Sequence, residues 1–272
     1  MTVGGATGRS QTAGDRVLVT AAGPQMRPAL HDLALPTFVR FAERWGYCVN
    51  VEDLAADGVR ADPAAQRAKW AKLGLLREAL TRFAVALWVD ADVLICRYDE
   101  DVASHLPAAD FQALGLEQVP HEHRVNPNTG VWLMRSGPAA FAFLDGVLSV
   151  GRQPGPWADQ GAVLAALGWD RGDERYWGAR PGRGSRFLAG TAWLPPAWNQ
   201  PYVGQRNDQE SFNSSGASYV GRPVVADPHA LHFMGMAPAA RYRSMAGVAH
   251  SLTATLPLGS PSPRPCPDRT RS

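Results

Sequence analysis

The stretch Ala84–Ile95, AVALWVDADVLI, decides the fold. Ala84 to Val89 is apolar at every position, the pattern of a strand covered on both faces inside a parallel sheet, and it stops abruptly at Asp90. Two carboxylates, Asp90 and Asp92, follow at a spacing of two, so an extended chain would send both to the same side. In open α/β sheets ligands bind outside the carboxyl ends of the strands, where this pair emerges. Paired carboxylate oxygens suit a hard cation, Mn²⁺ or Mg²⁺, that keeps other positions open for diphosphate oxygens. An Asp-x-Asp in a solvated turn or a helix cap is the ordinary alternative for an isolated match.

Outward from this strand, elements alternate. Upstream, Trp70, Leu73, Leu76, Leu80 and Phe83 mark one face of a helix whose start is read at Asp62-Pro63, an N-cap carboxylate with proline at the first position. Before it, YCVNVED reads as a strand. A helix with Phe38, Phe41, Ala42 and Trp45 on one face ends at Gly46, and Arg16 to Ala22 (RVLVTAA) is a β-branched strand. Downstream, GVWLMRS reads as a strand, and GPAAFAFLDGVLSVG and ADQGAVLAALG read as helices. The alternation predicts an α/β fold with a mostly parallel sheet in one domain, 16–250, between disordered tails at 1–15 and 251–272.

Composition limits the partners. A net charge of +2 over 272 residues leaves no broad basic field, so neither nucleic acid nor an anionic membrane surface is expected. No apolar run has the length of a signal-peptide core or of a membrane span. Cys48, Cys96 and Cys266 form no CxxC pair and are odd in number, which argues against a disulfide framework and a zinc site and points to a reducing, cytoplasmic compartment. His121–Arg124 (HEHR) lacks the spacing that puts two ligands on one helical face. The glycine-rich GGATGRS near the start has no preceding strand, and no G-x-S-x-G elbow exists. The aromatic-rich stretch with Trp169, Tyr176, Trp177, Trp193, Trp198 and Tyr202 fits acceptor stacking and an ordinary core equally well.

The Asp pair stands in an ordered company: the KWAKLGLLREAL helix before it, then Asn128-Thr129-Gly130, Trp157-Ala158-Asp159-Gln160, Pro195 to Asn199 (PPAWN), and Leu231 to Gly235 (LHFMG). In this order the pieces resemble the nucleotide-sugar glycosyltransferases of the GT-A fold, most closely the galactosyl, xylosyl and mannosyl transferase family (glycosyltransferase family 34). The resemblance runs from about Val17 to Gly235. It implies a Rossmann-like transferase acting on a nucleotide-sugar, UDP-sugar favoured and GDP-sugar as the other option, with a glycan or small-molecule acceptor and retention of configuration.

The same resemblance assigns Asp90, Asp92 and His232 to the metal, and Asp90 also to the donor. Asn128 and Gly130 would meet the donor sugar, Thr20 and Ala21 would grip the base, and Gly235 would lie beside the donor. Asp159 and Gln160 would face the reaction centre, although an Asp in the first turn of a helix is favoured by the dipole whatever its function. Of Lys69 and Lys72, at i and i+3, Lys72 is the one expected to reach a phosphate, a solvated face being the alternative. A core histidine is the alternative for His232. Relatives place a Lys shortly after His-x-x-Gly; here that stretch is Met236 to Pro238, with Arg241 or Arg243 as substitutes. Relatives carry a membrane anchor, and this chain is read as a bare catalytic domain. A nucleotide-sugar-binding protein without transfer and a metal-dependent nucleotide-sugar hydrolase are the competing readings.

Overall fold

The computed structural model describes residues 15–54, 63–119, 124–153, 158–169, 184–202, 225, 227–254 and 266. The start of the chain with GGATGRS, His121 to His123, Trp157, Tyr176 and Trp177 lie outside them.

Three of the strands read from the sequence build the parallel half of the sheet. β1 (Arg16–Ala22) lies between β2 (Cys48–Asp53) and β3 (Val85–Val89), parallel to both. On the far side of β3 runs β6 (Arg124–Arg135), at which the fourth, GVWLMRS, falls; it is antiparallel to β3 and is followed by β5 (Gln112–Val119) and β7 (Thr191–Trp193). The order is β2-β1-β3-β6-β5-β7, and β6 alone of the six opposes the common direction. All five residues of β3 are buried, as an apolar run with no polar face requires. Leu18, Val85, Leu87 and Leu133 face one core, which receives Phe38 and Phe41 of α2 (Leu35–Trp45). Val17, Val19, Ala86, Trp88 and Trp132 face the other. There they meet Leu73, Leu76 and Leu80 of α3 (Pro63–Arg82), Phe143 of α4 (Pro138–Val150) and Val163 of α5 (Ala158–Ala166). Each Leu buried this way contributes roughly 1.5–3 kcal/mol.

The helix ends follow the local chemistry. Gly46 takes φ 75°, a left-handed value glycine adopts at no steric cost, and closes α2 with its N–H on the Ala42 carbonyl. Short α1 (Arg27–Ala29) enters α2 through a π-turn at Leu30–Ala34.

A second sheet, absent from the sequence reading, positions much of the site. β4 (Val93–Ile95), β9 (Ala230–His232) and β8 (Gln200–Pro201) lie in the order β4-β9-β8. α6 (Pro238–Ala254) follows β9, so Ser251 to Ala254 continue a helix rather than a loose tail. Cys266 is bonded to Cys48 on β2. This corrects the expectation of unpaired thiols: spacing along a chain says nothing about cysteines that a fold brings together from opposite ends. The argument for a reducing compartment falls with it. Among the described residues no helix is long and apolar enough to cross a membrane.

Candidate metal centre and its surroundings

β3 ends in the sheet, and the chain turns at once. Asp90 N–H donates to the Gly130 carbonyl at 2.8 Å, and Val93 N–H returns to the Asp90 carbonyl at 3.0 Å. Asp90 and Asp92 therefore flank a tight turn instead of lying on an extended segment, yet both still face one place. His232 comes to that place because β9 pairs antiparallel with β4, setting His232 opposite Val93, and parallel with β8, setting it opposite Pro201. The Phe233 N–H on the Asp92 carbonyl, at 2.8 Å, locks the two segments.

The three side chains converge. His232 Nε2 is 3.2 Å from Asp92 Oδ1 and 3.9 Å from Asp90 Oδ2. One ligand atom from each residue lies within 4.8 Å of the others, a group able to hold a metal ion. Two carboxylate oxygens and an imidazole nitrogen suit Mn²⁺ or Mg²⁺, with the nitrogen favouring Mn²⁺. His232 is buried, and its Nδ1 lies 2.9 Å from Asn199 Oδ1. With the amide oxygen accepting from Nδ1, Nε2 is the ring nitrogen turned to the carboxylates and the one available as a ligand to an ion. Asn199 follows the short helical turn Pro196–Trp198 and is fully buried. The PPAWN motif thus supplies the residue that orients the distant histidine, a role no spacing announces. Replacing Asn199 by Ala is expected to weaken Mn²⁺ binding 10–100-fold, of the order usual for outer-shell partners, with Asn199→Asp restoring most of it. Equal Mn²⁺ affinity in Asn199→Ala and the parent would remove this role.

Gly130 is glycine because His232 leaves no room for a side chain. A Cβ there would stand 2.2 Å from His232 Cε1 and 2.6 Å from Nδ1. Asn128, also buried, accepts the Gly130 N–H on Oδ1 at 2.7 Å and brings its Nδ2 to 3.5 Å from Gln160 Oε1. Gln160 in turn donates to the Pro127 carbonyl. The NTG and DQ motifs, about thirty residues apart, are one hydrogen-bonded unit.

Lys72 ties that unit to the Asp pair. Its Nζ is 3.0 Å from both Asp90 Oδ1 and Asp159 Oδ2, and it donates to the Thr129 carbonyl and hydroxyl at 3.1 and 3.2 Å. Thr129 Oγ1 also donates to Asp159 Oδ2 at 3.0 Å, and the ammonium sits over the Trp88 ring. Burial alone would lower the Lys72 pKa, but Asp159 and then Asp90 outweigh it and raise it. Trp88 Nε1 donates to the same Asp90 oxygen, which leaves Oδ2 turned to His232. Ala158, directly before Asp159, has φ 42°, a left-handed value that costs a residue with a Cβ about 1 kcal/mol or more.

The other carboxylate has its own cation. Arg241 Nη1 is 3.3 Å from Asp92 Oδ2. Burial would raise the Asp92 pKa; Arg241 and then His232 hold it below the ordinary carboxylate range. Gly235, in the turn between β9 and α6, has φ 75°. Ala21 is half-buried at the end of β1, whereas Thr20 is fully buried and its hydroxyl has no partner among the described residues. Lys69 falls in α3 and Arg243 in α6.

No protein-family model matches this chain, and no curated protein matches it in sequence. Solved structures do resemble it. A glycosyltransferase involved in the glycosylation of the major capsid of PBCV-1 overlays with a TM-score of 0.51 at 14% identity, covering 85% of this chain and 98% of that one. The bifunctional glycosyltransferase WbbM overlays at 0.49 with 12% identity, over 89% of this chain and 51% of that one. The galactosyltransferase LgtC, in complex with donor and acceptor sugar analogues, overlays at 0.42 with 14% identity, over 88% and 97%. The overlay with the capsid-modifying enzyme carries the comparison, and it is a likeness of architecture. Together with the strand order, it gives the chain the GT-A fold of the nucleotide-sugar glycosyltransferases.

Proposed function

We propose that this chain is a metal-dependent glycosyltransferase that moves a hexosyl or pentosyl unit from a nucleotide-sugar, a UDP-sugar by preference, to a glycan or small-molecule acceptor with retention. The observation that carries the reading is the convergence of Asp90, Asp92 and His232 beside a buried Lys72–Asp159 pair at the carboxyl end of β3. Asp90 Oδ2, Asp92 Oδ1 and His232 Nε2 would hold the ion. The ion, when bound, supplies the positive charge that stabilises the departing diphosphate.

The chain's own groups do the rest. Asn128 and Gln160, linked to each other, offer amides to the hydroxyls of the donor sugar. Asp159 Oδ2 already accepts from Lys72 and Thr129, an arrangement for holding negative charge close to a developing oxocarbenium rather than for taking a proton from an acceptor. That favours retention over a mechanism with Asp159 as base. Ala21, at the end of β1, is our choice for the edge of the base pocket.

Calorimetric titration of UDP and of GDP, each with Mn²⁺ and with chelator, tests the reading. One nucleotide should bind at least about tenfold more tightly with Mn²⁺, the smallest step that marks a metal-bridged diphosphate. Equal binding with ion and chelator would sink the metal-dependent donor site. Release of free sugar at a rate indifferent to every added acceptor would favour the hydrolase.

A further inference from the structure

Each carboxylate of the Asp90–Asp92 pair already has a cation supplied by the chain, and the two cations are held very differently. Lys72 is fixed: its side chain is 4% exposed, it faces two carboxylates and two Thr129 oxygens, and it sits over Trp88. Arg241 is loosely placed by comparison. It projects from the first turn of α6 with its side chain 16% exposed. Its other polar side-chain contacts among the described residues are the Met236 carbonyl, to which Nη2 donates at 2.8 Å, and Met26 Sδ, 3.0 Å from Nη1. Its Nε is buried without a hydrogen-bond partner among the described residues. A guanidinium has five N–H donors, and a thioether is a poor acceptor, so this one is under-satisfied where it stands. Asp92 Oδ2, the oxygen it faces, belongs to the carboxylate whose other oxygen faces His232.

We propose that Arg241 is a displaceable counter-cation: it neutralises Asp92 before a divalent ion binds, is driven off that carboxylate by the ion, and then pairs with the donor's diphosphate. This rests on the reading of the site as a metal and nucleotide-sugar site, and it adds a coupling to that reading. A cation on Asp92 competes with the metal for the same charge and repels it. A diphosphate offers a planar guanidinium the two-point acceptor that Met26 and Met236 do not. Metal and nucleotide therefore bind cooperatively, since each relieves a cost the other meets. Met26 lies in the turn after β1 and Arg241 on α6, so the guanidinium bridges the carboxyl end of β1 and the Asp turn.

The test is Mn²⁺ affinity, read from the paramagnetic resonance of the free ion, for the parent, Arg241→Met and Arg241→Lys, with and without UDP, and again with GDP. Arg241→Met should bind Mn²⁺ alone about tenfold more tightly than the parent, and the factor by which nucleotide improves Mn²⁺ binding should shrink by about as much. Arg241→Lys keeps the charge and loses the two-point geometry, so it should bind Mn²⁺ alone like the parent and show reduced coupling. It serves the same purpose should circular dichroism show Arg241→Met unfolded. Unchanged or weaker Mn²⁺ binding in Arg241→Met, or full coupling in both variants, overturns the proposal while leaving the site intact. A parent that binds neither Mn²⁺ nor nucleotide overturns the transferase reading, and this proposal with it.

Discussion

Replacing Lys72 by Met should cost about 3–5 kcal/mol of folding stability, the usual loss when one partner of a buried ion pair is removed. Methionine matches the stem of lysine, so the hydrophobic contacts of α3 against Trp88 survive and only the charge disappears. What stays behind is Asp159, whose side chain is 5% exposed, with Thr129 Oγ1 as its remaining described partner, and the Asp90 oxygen shared with Trp88. For a domain of this size the melting temperature should fall by roughly 10 °C. Asp159→Asn in the Lys72→Met background should recover much of the loss, because it removes the stranded charge. A Lys72→Met protein melting within two degrees of the parent would show that the pair contributes nothing. The pH sense follows from the raised Lys72 pKa. A group protonated more firmly in the folded state stabilises fully below its unfolded value, about 10.4, and loses the contribution as pH rises through the folded one. The difference between parent and variant should thus hold through neutral pH and shrink in strong alkali.

Lys72 also shows how far the sequence could be read. A lysine on a helix before a buried strand is visible, but a helical period cannot say that Lys72 is buried against two carboxylates. Packing decides that, through the approach of α3 to the Trp88 face of the sheet. The half of the fold built from long periodic elements was legible: β1, β2, β3, α2, α3, α4 and α5 stand where the apolar patterns put them. β8 and β9, two and three residues long, have no period to detect, and they carry the placement of His232. Asp90 and Asp92 were legible as a pair because they interrupt an apolar run. Their turn was not, since it is made by backbone bonds to Gly130 and across Asp90 to Val93. Asn199 and Arg241 stand in or beside motifs the sequence shows, but their partners, His232 and Asp92, lie more than thirty positions away and no local pattern names them. The Cys48–Cys266 bond is the extreme case, its ends 218 positions apart in the sequence.

Asp92→Asn should lower transfer roughly a thousandfold, the scale of losing one preorganised electrostatic group at the reacting charge, while lowering the melting temperature by less than Lys72→Met does. The amide keeps the shape of the carboxylate and one acceptor oxygen but offers the metal a neutral ligand and Arg241 no charge. Two terms of opposite sign set the stability change, and the loss is the larger. The ion pair with Arg241 is lost, and so is the repulsion from Asp90, the third corner of the same cluster. Burial works against ionisation of Asp92, yet Arg241 and His232 hold its pKa below the usual range. Its contribution is therefore present above about pH 4 and lost as pH falls through the folded value, so at neutral pH the substitution removes a full charge. Two readouts separate the role from a structural one: nucleotide release from UDP-sugars or GDP-sugars under saturating Mn²⁺, and thermal unfolding in chelator. A variant that melts with the parent and releases nucleotide at the parent's rate would mean that Asp92 holds no ion that matters to the reaction. Lys72→Met runs the opposite way, with a large loss in stability. Comparing the two distinguishes a carboxylate that would hold the proposed ion from a cation that keeps its partner in place.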